Sequence, residues 1–259
     1  VMNGIYIDVF WGISYDELFP MIKDIGFTGF FSGECYAKDP EKLTQFKRSA
    51  DSLGLIQETS HSTIPGCSSI WSNVAEGDEY IDLLKLNIDN CAKLDIPILV
   101  VHIQPDLSSE PSFETGLNRL RSAVKYARDR RVKIAFENIN SAEYLYNTLD
   151  FFDCDNVGFC YDCGHEACHT SGERYLSKIG DRLLCTHIHD NDNKSDQHLI
   201  PFDGSIDFAR IASELSDCNY KGNITLELCY DNRYQSRMSK LDFLKKSFDA
   251  AKKLKKMMR

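Results

Sequence analysis

The chain has 259 residues, 42% of them hydrophobic and 27% charged, with a formal net charge of -9 at pH 7. That is the composition of a soluble globular protein, long enough for one large α/β domain or two small ones. No run approaches the roughly 18 apolar residues of a bilayer span, and the acidic balance gives no general attraction for phosphate backbones, so membrane and nucleic-acid partners are both disfavoured.

The first apolar run, IYIDVF (5–10), reads as a strand. Before it, VMNG supplies no basic flank, so no secretory signal is expected. SYDELFPMIKDIG (14–26) reads as a helix with Ser14 as N-cap, an acidic first turn and Gly26 as its stop. A second strand, FTGFFS (27–32), precedes a helix over 39–54 with Asp39 as cap, Pro40 at the first helical position and Gly54 at the end. LIQETSHS (55–62) and ILVVHIQ (98–104) bracket the amphipathic stretch DEYIDLLKLNIDNCAKL (78–94). FETGLNRLRSAVKYARDR (113–130) leads into VKIAFENI (132–139). Then come VGFCYDCGH (157–165), LLCTHIHD (183–190) and NITLELCY (223–230). DFARIASEL (207–215) and SKLDFLKKSFDAAKKLKKMM (239–258) carry period-3.6 stripes, whereas the segments after the fifth and sixth strands are less regular. Alternating strands and helices with no linker between them predict a single (β/α)8 barrel domain of the α/β class over residues 1–259. An open doubly wound sheet is the alternative, but VFWGISYDE lacks the GxGxxG turn such folds carry after their first strand.

A barrel has its active site at the C-terminal ends of its strands, and the chemistry-bearing residues gather there. His61, His102 and Glu137 end the third, fourth and fifth strands. Asp162 and His165 end the sixth, His187 and His189 the seventh, and Glu227 lies late in the eighth. Of the seven histidines, only His169 and His198 lie beyond the strand ends. Side-chain alternation puts Thr225, Glu227 and Cys229 on one side of the last strand and Ile224, Leu226 and Leu228 on the other. The same parity sets Asp162 against Tyr161 and Glu137 against Phe136, so the carboxylates are expected in the lumen. An ionised carboxylate buried there is costly unless paired or bound to a cation, and three converging with imidazoles ask for a metal ion. The ten cysteines are read as reduced thiols of a cytoplasmic protein. Cys160 and Cys163 form a CxxC without the second pair a zinc ribbon needs.

In order, FENIN, YDCGH, HIHDND, DQHLIPFDGSIDF and LELCYD resemble the xylose isomerase-like TIM barrel superfamily over nearly the whole chain. That superfamily includes sugar phosphate isomerases and epimerases, ketose 3-epimerases typified by D-tagatose 3-epimerase, and endonuclease IV. The epimerase branch implies four metal ligands, Glu137, Asp162, His187 and Glu227, with Glu137 and Glu227 also the catalytic acid/base pair. It implies Mn²⁺, with Mg²⁺, Co²⁺ or Zn²⁺ as alternatives. The reaction implied is proton abstraction beside the carbonyl of a sugar or sugar phosphate, through a metal-stabilised enediolate. The pattern E-x-x-N-x-x-E recurs as Glu137, Asn140 and Glu143, which implies substrate contact by Glu143; His165, His189 and Trp11 are further substrate-binding candidates. Tyr36 and Trp71 are aromatic candidates for stacking on a sugar ring. His187 and Asp190 fit the family's H-x-x-D, which implies a supporting role for Asp190 behind the ligand. Two departures point elsewhere. The ketose 3-epimerases place a substrate-binding arginine several residues after the strand-seven histidine, whereas HIHDNDNKSDQH holds none and Lys194 stands in that region. In addition, His61, His102, His165, Asp196 and His198 complete a counterpart for each of the nine zinc ligands of endonuclease IV. An endonuclease IV-like multi-zinc phosphodiesterase and a metal-dependent lyase on an oxidised sugar or glycoside are therefore the alternatives to an isomerase. The expected partner is a small-molecule sugar, with the oligomeric state, a homo-oligomer included, left open.

Overall fold

The computed structural model describes residues 4–33 and 39–258. Eight parallel strands form one sheet: β1 (Ile5–Trp11), β2 (Gly29–Ser32), β3 (Ile56–His61), β4 (Ile98–His102), β5 (Lys133–Glu137), β6 (Val157–Asp162), β7 (Leu183–His187) and β8 (Ile224–Cys229). Hydrogen-bonded neighbours run β7-β6-β5-β4-β3-β2-β1-β8. β7 and β8 meet through a single bridge, Ile188 to Leu226. There Ile188 N donates to Thr225 O (2.8 Å) and Glu227 N to Ile188 O (3.2 Å). Below the bridge the Thr186 hydroxyl takes the place of backbone pairing. It accepts from Thr225 N at 3.3 Å and donates to Asn223 O at 3.2 Å. The result is a TIM barrel closed at the mouth by this narrow seam.

Helices α1 (Tyr15–Ile25), α2 (Pro40–Ser52), α3 (Glu76–Lys93), α4 (Phe113–Asp129) and α5 (Ala142–Phe151) follow the first five strands in turn. Two short helices, α6 (Cys163–Cys168) and α7 (Tyr175–Ile179), follow β6. α8 (Phe208–Asp217) follows β7, and α9 (Asn232–Gln235) with α10 (Lys240–Met257) follows β8. The caps explain the boundaries. The Ser14 hydroxyl and backbone N–H pair with the Glu17 carboxylate ahead of α1, and Gly26 ends it at φ 111°. Asp39 accepts from Lys42 N ahead of α2 at 2.9 Å. None of the helices described is long and apolar enough to cross a membrane.

Strand parity divides the interior in two. Ile5, Ile7, Val9, Phe136, Tyr161, Leu226 and their neighbours belong to the main core between sheet and helices. Ile98, Val100, Ala135, Cys160 and Cys185 form a separate small cluster inside the barrel. This second cluster is the floor on which the site stands.

Candidate metal centre

One inward step beyond that floor, two residues along each strand, the side chains turn polar. Val100 is followed by His102, Ala135 by Glu137, Cys160 by Asp162 and Cys185 by His187. Register sets them in two tiers: His102 pairs with Glu137, Glu137 lies beside Cys160, and Asp162 pairs with His187 two residues further along. Glu137 is 1% exposed, and Asp162 and His187 are fully buried. Glu227 on β8 opens partly onto the mouth.

Glu137 is the hub. Its Oε1 lies 2.9 Å from His187 Nδ1, and its Oε2 lies 3.2 Å from His61 Nε2 and 3.0 Å from His102 Nε2. His187 Nδ1 is also 3.4 Å from Glu227 Oε2. Burial pushes the Glu137 carboxyl up, but the imidazoles of His187 and His102 outweigh it and hold the group well below the carboxylate range. At Asp162 the rise from burial is overcome by His165 and His189, and the carboxyl settles at about 2. Glu227 goes the opposite way: burial raises it, and the negative charges of Glu137, Asp162, Asp196 and Asp8 raise it further.

This donor set fits a divalent cation. Glu137, Asp162, His187 and Glu227 offer ligand atoms that all lie within 4.8 Å of one another. Among the described residues His187 Nε2 and Glu227 Oε2 are buried without a hydrogen-bond partner. A cation would also relieve the mutual repulsion that lifts Glu227. Further groups of the same compactness adjoin it: His61 and His102 with Glu137, His189 and His198 with Asp196, and His165 and His169 with Asp196. In the last two, Asp196 Oδ2 is 2.9 Å from His198 Nε2 and 3.3 Å from His165 Nε2.

His189 is wholly buried. Its Nε2 is 3.1 Å from Asp162 Oδ1, and its ring stacks on His198 with centroids 4.0 Å apart. Among the described residues the Asp190 carboxylate bonds to backbone rather than to His187. It accepts the backbone N–H groups of Asn191, Gly204 and Ile206, and so shapes the loop that carries Asp196 and His198. In that loop Asn193, His198 and Phe202 adopt positive φ, with His198 at 48°, strained backbone that persists only where its surroundings hold it. His198 is held by Cys229 N donating to its carbonyl and by its own Nδ1, 3.2 Å from Glu227 O.

The remaining candidates separate. Trp11 is 64% exposed at the wall of the mouth cavity. Glu143 is exposed in the first turn of α5, and Lys194 is exposed. Asn140 donates to Pro105 O. Trp71 is buried edge-on against Tyr144 and serves packing. Tyr36 lies outside the described residues. Cys160 and Cys163 are free and buried; Cys163 donates to His189 O. Sequence reasoning passed over Asp8, which lines the cavity beside Glu227, its register partner across β1 and β8. The signal was available: Asp8 is the one acid in IYIDVF, at the parity opposite Ile5, Ile7 and Val9.

The family model described as "Xylose isomerase-like TIM barrel" matches residues 19–254. "Uncharacterized protein y4fM" of Sinorhizobium fredii is 33% identical over 175 residues, 61% of this chain and 56% of that protein. The chain thus spans little more than half the length of the curated relatives it matches first. "Fructoselysine 3-epimerase" of Escherichia coli O157:H7 is 39% identical over 54 residues, 21% of this chain and 20% of that enzyme. Among solved structures, D-psicose 3-epimerase with D-tagatose from Clostridium cellulolyticum H10 superposes with a TM-score of 0.81 over 99% of both chains at 14% identity, which shows a shared fold.

Proposed function

The chain belongs to the xylose isomerase-like TIM barrel family, and on that premise we propose that it is a divalent-metal-dependent epimerase or isomerase of a sugar. The observation that carries this reading is the group of Glu137, Asp162, His187 and Glu227 at the mouth of the barrel, next to a cavity of about 380 Å³. That volume suits a monosaccharide or a modest derivative. No lysine or arginine lines the cavity among the described residues, which favours an unphosphorylated sugar over a sugar phosphate. The sugar 3-epimerases among the similar proteins support the same class.

The chain's own residues supply positioning and proton transfer. Glu137 on β5 and Glu227 on β8 come from well-separated strands of the ring, so a substrate between them is flanked by two carboxyl groups. One can take the proton from the carbon beside the carbonyl, and the other can return it on the opposite face, giving epimerisation. Return to the neighbouring carbon gives aldose–ketose isomerisation. A divalent cation held by the four residues, Mn²⁺ in our assignment, would act as a Lewis acid that lowers the cost of that deprotonation. Asp162 and His187 hold; His189 fixes the Asp162 carboxylate through its 3.1 Å contact. The floor of Val100, Ala135, Cys160 and Cys185 keeps water from below.

The test is incubation of Mn²⁺-reconstituted protein with a panel of ketoses in deuterium oxide. Deuterium is expected at the carbon next to the carbonyl, and Glu137→Gln and Glu227→Gln should abolish the exchange. Unchanged exchange in either variant overturns the acid/base assignment.

A second reading, a multi-zinc phosphodiesterase, is favoured by one observation: three further ligand groups, one around His61 and His102 and two sharing Asp196, adjoin the first. Clustered ions of this kind activate water and stabilise a leaving oxygen. Three zinc ions per chain by elemental analysis, with cleavage of a duplex containing an abasic site, would select this reading over the epimerase.

A further inference from the structure

We propose that Asp8 is a substrate-binding residue, whose carboxyl takes a hydrogen-bond donor of the sugar, a hydroxyl or an ammonium group, at the β1 wall of the cavity. The proposal rests on the sugar reading above and narrows it. Asp8 alternates with Ile7 and Val9, which pack into the main core, and so faces the lumen. It lines the mouth cavity together with Glu227, His61 and Trp11. It is 1% exposed, and among the described residues neither of its carboxyl oxygens has a hydrogen-bond partner. The Tyr15 hydroxyl nearby donates to Phe31 O and accepts from Gly33 N. Asp8 belongs to none of the residue groups that could hold a metal ion.

A buried carboxyl without a donor is disfavoured, charged or neutral. Folded proteins keep such a group where a ligand completes it, and strain at the site is the cost of recognition. Burial lifts this carboxyl to about 7, with the Tyr15 hydroxyl, the Val9 backbone and His61 offsetting it in part. The carboxyl thus lines the cavity with no group among the described residues in hydrogen-bond geometry to it. A sugar hydroxyl satisfies it, and an ammonium satisfies it more strongly, as a charge-assisted bond. The absence of lysine and arginine from the described lining is consistent with a neutral or cationic ligand.

The experiment compares Mn²⁺-reconstituted wild type, Asp8→Asn and Asp8→Leu. Calorimetric titration uses D-fructose, D-psicose and 1-amino-1-deoxy-D-fructose as probes. Bound metal is counted by elemental analysis, and the urea midpoint is recorded. Asp8→Leu should weaken the probe that wild type binds by about ten-fold to a hundred-fold, the worth of one hydrogen bond to a carboxylate. Asp8→Asn should retain a neutral sugar better than the amino sugar if the donor is an ammonium, and weaken both alike if it is a hydroxyl. Metal content should stay the same, and the Asp8→Leu midpoint should rise. Unchanged Kd in Asp8→Leu overturns the proposal while leaving the sugar reading intact. Loss of bound metal overturns it in favour of a ligand role, and a fallen midpoint in favour of a structural one. Wild type that neither binds nor exchanges deuterium with any ketose overturns the sugar reading and Asp8's role with it.

Discussion

Gly164→Ala is a small change with a large expected effect. A Cβ at Gly164 would stand 1.9 Å from His189 Cε1, whereas ordinary contact begins at 3.4 Å, so the ring must retreat by about 1.5 Å (3.4 less 1.9). It has nowhere to go, being wholly buried, stacked on His198 and tied to Asp162. Overpacking costs about 1–3 kcal/mol, and loosening the charged His189–Asp162 contact about 1.5–3. Better helix propensity of alanine returns about 1 kcal/mol. The net is a loss of about 1.5–5 kcal/mol, read as a lower urea midpoint at unchanged slope. The double variant Gly164→Ala/His189→Ala removes the clash and should be no less stable than His189→Ala alone, a coupling expected only of residues in contact. If Gly164→Ala costs less than about 1 kcal/mol, or if the two changes simply add, the rigid wedge of His189 behind Asp162 is refuted.

Other outcomes follow from the same geometry. In metal-free protein the folded chain keeps the Asp8 proton up to about pH 7, whereas the unfolded chain releases it near 3.8. This group's contribution is therefore fully present below pH 3.8 and is lost as pH rises through 7. The span of roughly 3 pH units (7 less 3.8), at about 1.4 kcal/mol each, bounds the loss at about 4 kcal/mol. Urea titrations in chelator should show this fall flattened in Asp8→Asn, and parallel curves would refute it. His187→Ala should abolish Mn²⁺ binding measured by calorimetry, whereas His189→Ala, one contact removed, should weaken it about ten-fold to a hundred-fold; equal effects would mean that both imidazoles touch the ion. Arg119 donates to the carbonyls of Ser69, Ile70, Ser72 and Val74 and pairs with Asp78. Arg119→Met should lower stability by about 2–4 kcal/mol, and a change within 0.5 kcal/mol of wild type would show that these bonds are replaced by water.

The barrel was legible because two signals agreed. Apolar runs at regular spacing named the strands, and Ser14, Gly26, Asp39 and Pro40 named the helix ends by local chemistry that tertiary contacts do not override. The lumen-facing parity of Glu137, Asp162 and Glu227 was readable for the same reason, since a strand alternates whatever surrounds it. What escaped depends on distance through space. Asp8 sits in a run whose apolar neighbours mask it, and only the register of β1 with β8 sets it beside Glu227. The work of Asp190 is equally invisible, because its acceptor role is defined by a loop that returns fourteen and sixteen residues later. The burial of His189 required knowing that Gly164 leaves room for its ring.

The seam between β7 and β8 has a kinetic consequence. A barrel opens where its ladder is thinnest, and here one bridge and the Thr186 hydroxyl do the joining. His187 ends one of the two strands and Glu227 lies on the other. Breathing of the seam therefore changes the distance between two members of the same ligand group. Amide hydrogen exchange along β7 and β8 and the dissociation rate of any ion held there become two readings of a single local opening. An ion that closes the group would slow that exchange while leaving β3 to β5, on the far side of the ring, at their own rates.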